Sequence, residues 1–92
     1  MTNYLLYNYY YRYRQLRKNI KDIVETNNLV QARNLFNVLM TEHDNYLVNV
    51  LNSQFSIDEN NSIHHANIHF TSLETTGQES QKTATLNALE EM

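Results

Sequence analysis

The chain has no cysteine, no proline, no tryptophan and a single glycine, Gly77, among its 92 residues. Without cysteine there is no disulfide framework, no thiolate metal site and no thiol nucleophile. With no proline and one glycine, the sequence has little of the punctuation that a many-stranded sheet needs at its turns. That shortage favours helices. No apolar run approaches the roughly 20 residues that a bilayer span requires. The opening segment lacks the basic start of a secretory signal, and Asn3, Asn8 and Arg12 break its apolar stretch. These absences lead us to expect a cytoplasmic protein. The sequence also has no G-x-S-x-G elbow and no glycine-rich phosphate loop. The paired carboxylates Asp58-Glu59 and Glu90-Glu91 fall where a loop and a terminus are expected. The expectation is therefore no enzyme, no cofactor and no small-molecule substrate.

What is present is polar and unevenly charged. Hydrophobic residues make up 41% of the chain and charged residues 18%, for a net charge of −3. Residues 1–36 carry six basic side chains against Asp22 and Glu25, a net +4, whereas 37–92 carry Lys82 against eight acids, a net −7. Such a split suits an anionic partner for the front half. It suits equally well two halves that neutralise each other, within one chain or between copies.

The densest chemistry lies in NYYYRYRQLRK, residues 8–18. At about 100° per residue, Leu5, Leu6, Tyr9, Tyr13, Leu16, Ile20, Ile23 and Val24 share one side of a helix running from Asn3 to Glu25. Arg14, Arg17, Lys18 and Lys21 gather on a separate arc, with Tyr7 and Tyr10 leaning towards it. Tyr9 and Tyr13 thus belong to the packing side, so part of the aromatic excess is core. Thr26-Asn27-Asn28 breaks the helix, since asparagine tolerates the left-handed conformation that ends helices. Asn28 with Gln31 then forms a capping-box-like pair for the next one.

The second helix is expected from Leu29 to Phe55, with Leu29, Ala32, Phe36, Leu39, Met40, His43, Tyr46, Leu47, Val50 and Leu51 as its apolar stripe. The short link makes the two helices antiparallel neighbours. Beyond Phe55 the periodicity fades. Ser56–Ser62, SIDENNS, has linker composition. In SIHHANIHF, Ala66, Ile68 and Phe70 alternate with His65, Asn67 and His69, the pattern of a strand. Thr76 with Glu79 offers a capping box before a short helix from Gln78 to Glu91. The expected fold is therefore all-α: an antiparallel two-helix hairpin over 1–55, then a weakly structured C-terminal segment, 56–92. That segment holds a linker, a short strand and a short third helix.

A hairpin of this size buries one stripe per helix and leaves Val30, Leu35, Val38 and Val48 over. Uncovered apolar surface implies association. The first functional expectation is a protein–protein interaction module: a homodimer, or a chaperone-like or adaptor subunit of a hetero-oligomer. Its packing seam would be Leu16, Ile20, Ile23, Phe36, Leu39, His43, Tyr46 and Val50. The rival is a nucleic-acid-binding hairpin that sets Tyr10, Arg14, Arg17, Lys18 and Lys21 against phosphates and bases. An overall acidic chain argues against the rival. His65 and His69 stand four apart, a metal-ligand spacing on a helix. Their surroundings read as extended, and there too residues four apart share a face, so a weak divalent site would need a second chain; surface or packing histidines are the expectation, and no metal site is expected.

Overall fold

The computed structural model describes the backbone of residues 2–49 and 55–92 and the side chains of residues 8–45 and 61–92. Two left-handed residues, Asn27 and Gly77, both at φ 64°, punctuate it. They separate α1, Thr2–Glu25, from α2, Leu29–Asn49, and α3, Phe55–Thr76, from α4, Glu79–Glu91. At Asn27 a β-branched residue would be strained, whereas asparagine tolerates the conformation. Asn28 then caps α2: its Oδ1 accepts from the Gln31 backbone N–H at 3.3 Å and its Nδ2 donates to Gln31 Oε1 at 2.9 Å. The expected pair is present, with the glutamine side chain turned to the asparagine side chain.

Each helix packs on the next, and α4 closes back onto α1. The result is a four-helix bundle, 44 Å in its longest dimension. Along α1 and α4 the chains run in opposite directions. The Lys82 ammonium donates to the Glu25 carbonyl at one end (3.0 Å), and the Tyr13 hydroxyl reaches the Met92 carbonyl at the other (3.3 Å). With thirteen residues, α4 is about 20 Å long and shorter than its neighbours. It flanks only the stretch of α1 from Tyr13 to Glu25.

The core is drawn from all four helices at three- and four-residue steps. Tyr13, Leu16, Ile20 and Val24 come from α1; Ala32, Phe36 and Leu39 from α2; Ile63, Ala66, Phe70 and Leu73 from α3; Ala88 and Leu89 from α4. The Phe36 and Phe70 rings meet at 5.9 Å in the middle. Thr85 is the buried polar residue of α4, and its hydroxyl donates to the Gln81 carbonyl at 2.7 Å.

Three expectations are corrected here. The segment expected as a linker and strand is helix α3, and the C-terminal part supplies two well-formed helices in place of a weak tail. In α3, Ala66 and Phe70 do face inward, but Ile68 is exposed, and Ile63 and Leu73 complete the buried face. Residues four apart share a face in both a strand and a helix, so Ala66 and Phe70 suit either. The third reported difference concerns Thr76, which ends α3 and does not cap α4. Its hydroxyl bonds to the Ser72 carbonyl, and Gln78 is the N-cap of α4, with no side-chain cap bond. In α2, the described helix ends at Asn49, and Phe55 already belongs to α3. Among the described residues no helix is long and apolar enough to cross a membrane.

Candidate functional site

The residues expected as an intermolecular seam lie within the bundle. Ile20, Phe36, Leu39 and His43 are at most 1% exposed, Leu16 is buried, and Ile23 packs partly buried against the same cluster. The side chains of Tyr46 and Val50 lie outside the described residues. Of the apolar residues thought to be left over, Leu35 packs against the core, whereas Val30 and Val38 are exposed. The last two stand two turns apart on α2, and Val48 again lies outside the described side chains. Single exposed valines of this kind are ordinary surface. The seam is thus occupied by the chain's own α3 and α4, which the expected two-helix hairpin did not include.

At the far end of that seam His43 is 1% exposed, and its Nδ1 lies 2.5 Å from the Tyr9 hydroxyl. Tyr9 also meets the Tyr10 ring edge-on at 5.5 Å and the Tyr13 ring at 5.7 Å. The tyrosine run is therefore divided by helical geometry. Tyr9 and Tyr13 turn inward, and the residues between them turn outward.

The outward face of α1 forms a groove of about 550 Å³ lined by Tyr10, Tyr11, Arg14, Gln15, Arg17, Lys18, Lys21 and Glu90. All five residues of the basic–tyrosine face therefore line one concavity. Helical spacing is the cause: 10, 14, 17, 18 and 21 fall within an arc of about 100°, to one side of the core stripe. Tyr11 and Gln15 were not included in that face. The signal for Tyr11 was present, since it stands three residues before Arg14 and seven before Lys18, and it is 61% exposed.

The electrostatics of the groove come from which cations are already paired. Arg12 Nε bonds Glu42 at 2.7 Å, across to α2. Arg33 bonds Glu74 from α2 to α3. Lys21 bonds Glu90 from α1 to α4. Lys82 donates to the Glu25 carbonyl. Arg14, Arg17 and Lys18 remain, and among the described residues none of them makes a salt bridge. Three cations without a salt bridge among the described residues thus stand on neighbouring positions of one groove, with the Glu90 carboxylate on its rim. That carboxyl is held below the usual range by the hydrogen bond and then the charge of Lys21, opposed by desolvation and aided last by the charge of Arg17.

The four histidines form two separate pairs: His43, buried beside Tyr9, lines a small pocket with His64, Met40, Asp44 and Asn67, and His65 meets His69 on α3. Among the described residues no cluster of three or more His, Cys, Asp or Glu side chains could hold a metal ion. The chain matches no protein-family model, no curated protein and no solved structure.

Proposed function

We propose that this chain is a non-enzymatic protein–protein interaction module, an adaptor or assembly subunit of the cytoplasm. In this reading it receives an acidic segment of its partner along the outer face of α1. The observation that carries the reading is the placement of Arg14, Arg17 and Lys18 side by side in the groove with no salt bridge among the described residues, while Arg12, Lys21 and Arg33 each make a salt bridge within the bundle. The apolar seam supports association less well than the groove does, because Leu16, Ile20, Phe36 and Leu39 are buried against the chain's own helices. Tyr10 and Tyr11 give the groove an apolar body with hydroxyl tips, the kind of side chain that contributes large contact area at low entropic cost.

A second reading has one observation in its favour. The same two tyrosines flank the same cations, as they would where bases stack and phosphates pair. The net charge of −3 weighs against this reading, since nucleic-acid-binding domains carry a basic balance over the whole domain, whereas a short acidic segment needs only the local patch.

One experiment separates the readings: anisotropy titrations of a labelled poly-glutamate peptide and a labelled single-stranded RNA, with wild type and with Arg14→Glu/Arg17→Glu/Lys18→Glu. The proposal expects peptide binding that the triple variant weakens at least about tenfold, about 1.4 kcal/mol or more. RNA bound more tightly than peptide, with log K falling with log salt at a slope of roughly −2 for three phosphates, would give the function to the rival. Peptide binding that survives the charge reversal removes the groove from the account. Circular dichroism of the variant, whose three positions are at least partly exposed, confirms that the bundle is intact.

A further inference from the structure

His65 and His69 stand one turn apart on α3, their ring centroids 4.7 Å apart and their planes at 86°. His65 is exposed and His69 half-buried, so both are open to solvent. A four-residue step on a helix places two side chains one above the other on a single face. For histidines it brings two imidazoles within reach of one ion, which is how the paired histidines of H-x-x-x-H helices share a metal. Because α3 is a helix, the four-residue step brings the two rings together within one chain.

The surroundings suit a cation. His65 lines a groove of about 370 Å³ with Asn61, Ser62, Ala88 and Glu91. Glu91 is the last residue of α4, so a carboxylate at the negative end of a helix shares the groove with His65. His64, one residue earlier, faces a different pocket, with Met40, His43, Asp44, Ile63 and Asn67. It is therefore a neighbour in sequence that belongs to another face.

We propose that His65 and His69 form a two-imidazole chelate for a late first-row divalent ion, with Cu²⁺ bound ahead of Ni²⁺ and Zn²⁺, the order that nitrogen ligands impose in an open site. No third carboxylate, thiolate or imidazole converges among the described residues. The protein supplies two ligands, and water or a small added ligand fills the remaining positions. Such a site is exchangeable and does not hold the fold together. Each imidazole binds the ion through a ring nitrogen that carries no proton. The site is on α3 and is independent of the groove on α1.

The test is calorimetric titration of the full chain with copper(II) sulfate, and separately with zinc chloride, alongside copper(II) electron paramagnetic resonance. Wild type should bind one copper per chain with two nitrogen donors from the protein and zinc more weakly. His65→Ala and His69→Ala should each lower copper affinity at least about tenfold, and His64→Ala should leave it unchanged. Where an alanine variant loses helix, His65→Gln and His69→Gln repeat the comparison. Ring-proton broadening by copper in wild type should reach His65 and His69 before His64. Affinity indifferent to both substitutions, or lost equally in His64→Ala, or tighter for zinc than for copper, overturns the proposal.

Discussion

The guanidinium of Arg33 lies 4.5 Å from the centroid of the Phe70 ring. From there it bonds outward across the α2–α3 contact: Nε donates to both Glu74 carboxylate oxygens at 3.0 and 3.1 Å, and Nη1 donates to Asn67 Oδ1 at 2.7 Å. One planar cation thus covers the edge of the aromatic core and ties the two helices together. A lysine places a single charge there and cannot reproduce the fork. Arg33→Lys should destabilise the chain by about 1–2 kcal/mol. Urea denaturation reads this directly, and a double-mutant cycle with Glu74→Gln should show coupling between the two changes. Additive effects would mean that Arg33 acts through the ring alone.

Leu89 joins the C-terminal helix to the core. It is fully buried, as is Phe70 in the same cluster. Leu89→Ala should cost about 2–5 kcal/mol by leaving a cavity, out of a total of about 5–14 kcal/mol for a domain of this length. The measurement is the urea midpoint, which should fall with little change in slope. A change in slope without a shifted midpoint would mean that α4 unfolds apart from the rest.

Gly77 and Asn27 share φ 64°, but their substitutions differ. A Cβ at Gly77 meets nothing within 4 Å, so the cost of Gly77→Ala is backbone strain alone, about 1 kcal/mol. Asn27→Gly should be close to neutral, since the strain it relieves is offset by the entropy it returns to the unfolded chain. Thermal melts of the two variants should therefore move apart, with Gly77→Ala the lower.

Glu90 ties solution pH to the α1–α4 contact. Its carboxyl is lowered first by the hydrogen bond from Lys21 and then by the charge of Lys21. A carboxyl lowered by folding contributes stability that is present above its unfolded value and is lost as pH falls through the folded one. Because Glu90 is exposed, salt should weaken the effect. An NMR titration should place the Glu90 midpoint below the ordinary glutamate range at low salt. Lys21→Met should move it back up. A midpoint that ignores the substitution would break the assignment.

How much of this was readable from the residues differs from helix to helix. The hydrophobic stripe of α1 is visible because Tyr13, Leu16, Ile20 and Val24 recur with a helical step over many turns and match no other period. The basic arc of Arg14, Arg17, Lys18 and Lys21 follows from the same arithmetic, which also contained Tyr11. Asn27 and Asn28 mark the turn because their side chains act locally, on backbone only a few residues away. α3 was not legible in this way. Its composition, with Asn60, Asn61 and Ser62, favours turns, and Ala66 and Phe70 fit two periods at once. Propensity is a weak prior that burial overrides.

Tertiary packing decided what a linear reading cannot weigh: which partner covers a stripe. Leu16, Ile20, Phe36 and Leu39 had to be buried somewhere, and their pattern made that certain. Whether a second molecule or residues 63–89 of the same chain would bury them depended on contacts between positions far apart in sequence, such as Phe36 with Phe70. The pairing of the cations was decided in the same way. Arg12, Lys21 and Arg33 make salt bridges to acids on other helices, and among the described residues Arg14, Arg17 and Lys18 make none, because a charge on a helix is neutralised by what the fold brings beside it and the chain order does not specify that neighbour.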